Sequence, residues 1–330
     1  MATTNFATYQ DFATRQGFDK TIQKIIEMQS QTNRILDDMI VTEANEKSAH
    51  MTTVRTKLPE VAWRMINRGV TPGISGTSQI TFTSGGMEAL AKVDERLLEK
   101  NGGVNSERGN EWRLGENQAH QQAMNKEMAL TLFYGDEKIN PAKFTGLGAY
   151  YYSPDIAKCE AAEYVIDCGG AGNALTSIYI VVWGQNQIHG FYPEGTPAGF
   201  RYRDNGRVKA YDDQNKEFWA YESQYNWDLG LSVRDYRYGV RLCNIDLATI
   251  TADNFINYLI DAYNRVEDID AGKAAIYLNR KAMTKIDQLA QNKANVNLTI
   301  DTFAGKKITH FWGVPFRRCD AILNTESELT

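Results

Sequence analysis

Cysteine is scarce in this chain of 330 residues: Cys159, Cys168, Cys243 and Cys319 stand far apart, with no C-x-x-C pair and no nearby histidine to complete a zinc site. That excludes a disulfide framework and predicts free, mostly buried thiols made in a reducing cytoplasm. Histidine is equally sparse, with His50, His120, His189 and His310 scattered along the chain. Of these, His189 sits in a predicted strand among aromatics and reads as a hydrogen-bonded core or edge residue. No apolar run approaches the roughly 18 residues of a membrane span, and the N-terminus MATTNFATYQDFATRQG lacks the basic start and apolar core of a signal peptide. The expectation is cytosolic synthesis and no membrane role. Lys and Arg number 36 against 41 Asp and Glu, a net charge of -5, and they are interspersed, so no basic stripe points to specific DNA reading.

Catalytic signatures are missing too. There is no H-E-x-x-H, no G-x-S-x-G, no G-x-x-x-x-G-K-[ST] and no G-x-G-x-x-G opening a helix. The glycine cluster CGGAGNALTS (168–177) precedes a strand and lacks a phosphate-binding lysine, so it reads as a tight turn. Asp37-Asp38 and Asp212-Asp213 are adjacent in sequence and read as solvated helix faces or turns. The sequon at Asn297 needs a secretory route to carry a glycan.

What is present is ample apolar material: 42% hydrophobic residues with 17 Tyr, 13 Phe and 6 Trp, enough for one large or two medium cores. Residues 18–40 place Phe18, Ile22, Ile25, Leu36 and Met39 along a narrow helical stripe, followed by a polar, Thr-rich stretch ending at Pro59. This predicts an N-terminal arm that lies on another surface or on its own domain. Residues 60–83 then alternate, break at a glycine-rich tip and alternate again, predicting a hairpin. Val61, Trp63 and Met65 share a face of the first strand, and Ile80 and Phe82 a face of the second. An isolated hairpin is marginal in water, and burying these five side chains is worth roughly 1.5–3 kcal/mol each. Either a sheet edge of the same domain or a neighbouring subunit must cover them.

Residues 87–100 read as a helix stopped at Asn101-Gly102-Gly103. Residues 110–134 read as one long helix with Trp112, Ala119, Ala123, Leu130 and Phe133 on a stripe and Met124, Met128 and Leu132 beside it. TSIYIVVW (176–183) predicts a buried strand, WGQN a turn and QIHGFYP its return. In YNWDLGLSVRDYRYGVRLCNID (225–246) the apolar phase slips by one residue near Asp235, predicting a bulge or sharp bend in a very long strand. A helix capped by Thr251 or Asp253, a strand AAIYLN, a helix RKAMTKIDQLAQ and a terminal hairpin follow. Strands and helices mix without β-α-β alternation, so the class is α+β.

The order of these elements, with VRTKLPEVAWRMINRGV (54–70), KVDERL (92–97), the helix into LFYGD (132–136), TSIYIVVWGQNQIHGFYPEG (176–195), the 225–246 segment and PFRRCDAILNTE (315–326), resembles the major capsid proteins of tailed double-stranded DNA phages, with the Hong Kong 97 type of fold. The resemblance spans essentially the whole chain. It implies an N-terminal arm at 1–55, an extended loop at 56–88 lying over a neighbouring subunit, and a peripheral domain at 89–159 whose spine is the helix 110–134. It further implies an axial domain at 160–310, interleaved with peripheral strands near 225–246, and a terminal peripheral strand and tail at 311–330.

The implied function is a major capsid protein assembling as hexamers and pentamers into an icosahedral shell in the host cytoplasm and residing in the virion. The implied partners are copies of itself, a portal protein at one vertex, a scaffolding protein, a decoration protein, and double-stranded DNA enclosed without sequence-specific binding. Cofactors, metals and catalytic residues are absent from that picture. Inter-subunit contacts fall to Val61, Trp63, Arg64, Met65, Arg68, Ile80 and Phe82 of the loop, and to Phe18, Ile22, Ile25, Leu36 and Met39 of the arm. Some capsids of this fold lock their shells through an isopeptide bond from a loop lysine, but between Lys57 and Lys92 this chain has only Arg64 and Arg68 as cations. Two alternatives stand beside this reading: an encapsulin-like bacterial compartment of the same fold, and a cytosolic α+β enzyme.

Overall fold

The computed structural model describes residues 31–100, 103, 106–290, 298–303 and 306–330. Its helices are α1 (Ile35–Asp38), α2 (Glu95–Lys100), α3 (Glu107–Tyr134), α4 (Leu147–Tyr150), α5 (Ala252–Arg265) and α6 (Arg280–Ala290). Its strands are β1 (Val41–Glu43), β2 (Ala49–Lys57), β3 (Gly76–Asp94), β4 (Val165–Asp167), β5 (Thr176–Trp183), β6 (Ile188–Tyr192), β7 (Phe200–Tyr211), β8 (Glu217–Val233), β9 (Gly239–Ile245), β10 (Lys273–Leu278), β11 (Leu298–Phe303), β12 (Lys306–Phe311) and β13 (Val314–Arg318). Among the described residues these strands join into one hydrogen-bonded network along the path β11-β12-β13-β10-β5-β6-β8-β3-β2.

The apolar run of β5 occupies the centre. It pairs antiparallel with β10 on one edge and β9 on the other, and every residue in it is buried. Alternation sends Tyr179, Val181 and Trp183 into one core, with Met128, Leu132 and Phe133 of α3. Ile178, Ile180 and Val182 enter a second core, under Phe255 and Leu259 of α5 and Ile286 of α6. A strand covered on both faces carries a continuous apolar run, and this one does.

Several predicted elements take different forms. The hairpin lies one segment earlier on its first leg: β2 pairs with the start of β3 from Ala49↔Thr83 to Arg55↔Thr77, and residues 58–75 form the unpaired tip. Thr52, Thr53 and Val54 favour an extended pleated chain, whereas Pro59 and Pro72 cannot donate to a ladder. Val61, Trp63 and Met65 are therefore off any strand.

The predicted helix 87–100 is mostly strand, because β3 runs on from Ser84↔Gly230 to Asp94↔Ala220 against β8 and leaves only α2 helical. Helix propensity is a weak prior against a full-length strand edge. Close passage demands a small residue where β3 changes partner: a Cβ on Gly85 would lie 3.0 Å from the Ala142 carbonyl oxygen.

α3 spans 28 residues, about 42 Å, and begins at Ser106, whose side chain accepts from the Gly109 N–H. Met124, Met128, Leu132 and Phe133 are buried while Ala119 and Ala123 are exposed, so of the predicted stripe Phe133 faces the core, joined there by the residues predicted beside it. The predicted return of β5 along β6 is replaced: β6 pairs with β8 and β1 and meets β5 at a single register position, Trp183↔Ile188. The predicted slip at Asp235 is a full break between β8 and β9, where the Asp235 carboxylate accepts from the Arg237 N–H to cap a 3-10 turn at Tyr236–Tyr238. The predicted Thr251 cap stands, accepting from the Asn254 N–H.

The segment around α1 is woven into the body. Asn33 bridges Cys319, β1 pairs with β6, and Ile35, Asp38 and Met39 are buried. Asp38, read from sequence as solvated, is buried because Lys273 approaches it at 2.8 Å and Arg317 at 3.3 Å. Phe18, Ile22 and Ile25 lie outside the described residues.

Candidate assembly interface

The stem formed by β2 and the start of β3 carries the tip at 58–75 away from the core. Across its mouth Pro59, Glu60 and Gly73 lie close, since a Cβ on Gly73 would meet the Glu60 nitrogen at 3.2 Å. Beyond it Arg64 Nε donates to the Arg68 carbonyl at 2.8 Å, and the Arg68 N–H donates to the Met65 carbonyl at 3.2 Å. Asn67 takes the left-handed conformation this turn requires, at φ 65°.

Leu58, Val61, Trp63, Met65, Ile66, Val70 and Ile74 are all exposed on this tip, Trp63 fully so. Scattered apolar residues are ordinary on a surface, but a contiguous group on one loop marks an interaction site. Sequence periodicity singles out three of the seven; Leu58, Ile66, Val70 and Ile74 fall out of phase with an alternating strand.

The remaining predicted contact residues are placed differently. Phe82 packs inside the chain at the stem base with Ala44 and Phe191, and Ile80 is half-buried beside them. Leu36 and Met39 pack on the core that contains α3. Arg64 and Arg68 are exposed on the tip.

The stem base also joins two histidines. His50 of β2 and His189 of β6 meet edge to face with ring centroids 5.2 Å apart, and His50 lies 5.3 Å from Phe191. His189 is buried and neither Nδ1 has a hydrogen-bond partner, so the predicted hydrogen bond is missing at that atom. Burial first, then His50 and Arg234, push the His189 imidazole down to about 4. Such a ring stays neutral at pH 7.

Ion clusters around two buried carboxylates tie the two ends of the described chain to the body. Glu326 accepts from Arg241 Nη2 at 3.1 Å, from Ser177 Oγ and from the Tyr134 hydroxyl. At the other end Lys273 and Arg317 hold Asp38, with the Tyr277 hydroxyl donating to it at 3.3 Å.

The four cysteines are unpaired thiols, and burial pushes those of Cys243 and Cys319 up to about 12, far from the thiolate a nucleophile needs. Among the described residues no cluster of three or more His, Cys, Asp and Glu is placed to hold a metal, and no helix is long and apolar enough to cross a membrane.

Comparison with known proteins gives this geometry its setting. Residues 17–330 match the family model of the major capsid protein GP7. A chain from the structure of bacteriophage Epsilon15 is 32% identical, with a TM-score of 0.77 and 100% of both chains covered. The bacteriophage JBD30 capsid matches at a TM-score of 0.52 and 9% identity, over 92% of this chain and 96% of that one, a likeness of fold alone. The SrpI encapsulin of Synechococcus elongatus PCC 7942 is more distant, at a TM-score of 0.44 and 12% identity over 73% of this chain and 97% of that one. No curated protein sequence matches. The chain belongs to the GP7 family of major capsid proteins: it is a structural, non-enzymatic component of a phage virion with the Hong Kong 97 type of fold, assembling with copies of itself into the capsid.

Proposed function

We propose that the tip at 58–75 is the clasp of this shell, lying over a neighbouring copy that covers its apolar side chains. The observation that carries this reading is the exposed set Leu58, Val61, Trp63, Met65, Ile66, Val70 and Ile74 on a stem that is itself well paired. On this reading the extended loop runs from 49 to 83, α3 is the spine of the peripheral domain, and the segment from about 160 to 310 supplies the axial domain. The copies form hexamers and pentamers that close an icosahedral shell. Each loop contact is modest once the ordering of the loop is subtracted, but every copy is held by several neighbours at once, which multiplies its effect.

The shell encloses double-stranded DNA without reading its sequence, and the net charge of -5 supports containment without a tight grip on phosphate. Assembly takes place in the host cytoplasm, with a portal protein at one vertex, a scaffolding protein and a decoration protein as the further partners of this reading. Electron microscopy of the gently purified protein, beside its sedimentation profile, tests it. Closed shells, or rings of five and six, support the clasp reading; a dimer or tetramer that persists when the scaffolding partner is supplied refutes it.

A further inference from the structure

Where β2 leaves the body, a cleft of about 460 Å³ opens between the stem and the turn joining β8 to β9. Arg55 and Lys57 line its stem wall, Arg234 and Arg237 its body wall, with Asp235 as the carboxylate between them. Asp235 is already engaged, since Arg237 binds both its oxygens, at 3.0 Å from Nε and 2.8 Å from Nη2. Arg237 has a second partner in Glu267 at 3.1 Å. Arg234 donates to neutral acceptors, the Gln185 carbonyl at 3.0 Å and Asn186 Oδ1 at 3.2 Å. Among the described residues no carboxylate forms an ion pair with Arg55, Lys57 or Arg234. Arg234 also lies near enough to both histidines of the stem base to contribute, after burial, to the downward shift of His50 and His189.

The imbalance continues along the loop. Residues 55–75 hold Arg55, Lys57, Arg64 and Arg68 against the single carboxylate Glu60, within a chain whose acids outnumber its bases. A basic, protruding segment on an acidic molecule is complementary to the exterior of another copy of that molecule. A guanidinium pair beside an ammonium matches carboxylate geometry and strengthens as the cleft closes over its guest.

We propose that this cleft is a carboxylate site that receives an Asp or Glu side chain from a second copy of the chain. The proposal rests on the assembly reading and extends it from the apolar tip to the charged stem. Lys57 is its reporter, because a carbodiimide joins an amine to a carboxylate only when the two are in contact. Shells assembled from an equal mixture of ¹⁴N- and ¹⁵N-labelled protein are treated with the reagent, digested and read by mass spectrometry.

The expected result is amide-linked peptide pairs of mixed isotope joining Lys57 to an Asp or Glu. Arg55→Glu, at an exposed position, should abolish those pairs, and Arg55→Lys should keep them. Shells that yield other mixed-isotope pairs but join Lys57 only within its own copy overturn the proposal and leave the assembly reading standing. No shells and no mixed-isotope pairs overturn both. Protection of Lys57 in DNA-filled shells but not in empty ones assigns the site to phosphate and overturns it as well.

Discussion

Arg241 and Glu326 lie 85 residues apart and meet at 3.1 Å, with their side chains 6% and 8% exposed. Arg241 also donates to the Tyr151 carbonyl at 3.0 Å and to Ser177 Oγ at 3.1 Å, so the guanidinium is satisfied on several sides. A buried pair with this many partners anchors the last residues of the chain onto β9 and, through Ser177, onto the central strand β5. Replacing one partner leaves the other charged and unpaired, at a cost of about 3–5 kcal/mol. Glu326→Ala should lower the urea midpoint of the unassembled protein accordingly, and adding Arg241→Met should recover part of the loss. Two independent, additive losses would show that the pair is not coupled.

Trp63→Asp places a charge on the exposed tip and touches nothing in its own chain's core. The expected outcome is an unchanged thermal midpoint for the unassembled protein together with loss of closed shells in micrographs. A variant that unfolds on its own would return the tip to the chain's own core.

No lysine lies between Lys57 and Lys92, so the tip has no amine for an isopeptide bond. Mature particles boiled in detergent should run as a single band of monomer on a denaturing gel. A ladder of bonded oligomers with a crosslink mapped to 58–75 would contradict this.

His189 titrates near 4 when folded and near 6.5 when unfolded. Above pH 6.5 it is neutral in both states and contributes no pH dependence. Between 6.5 and 4 the unfolded chain binds the proton first, so stability falls as the pH falls, and below 4 the penalty levels off. His50 and Arg234, which face it, oppose its charging, and His50 is itself shifted downward by burial and by Arg234. His189→Asn should flatten the stability profile between pH 4 and 6.5 relative to wild type, where the carboxylates titrate equally in both. Identical slopes would remove His189 from the account.

How much of this was legible in the sequence depended on the distance over which each cause acts. The central strand 176–183 was readable because a continuous apolar run has few other uses, and the α5 cap was readable because Thr251 serves a nitrogen three residues away. The phase slip at Asp235 was also visible, since an alternating pattern records its own interruption. Residues 87–94 read as a helix because Met87, Glu88, Ala89, Leu90, Ala91 and Lys92 suit one, and only the edge of β8 makes them a strand. The tip is half legible: alternation picks out Val61, Trp63 and Met65 but places their strand through the tip instead of through 49–57.

The sequence by itself determined the α+β class, the central buried strand, the long helix, the local caps and the lack of an amine on the tip, because these follow from periodicity, composition and contacts a few residues apart. Tertiary structure alone decided which strand supports the tip, which helical stripe faces the core, and why Asp38 and Glu326 are buried. Those outcomes depend on partners tens to hundreds of residues away, as when Lys273 and Arg317 close on Asp38. Local patterns carry no record of such partners.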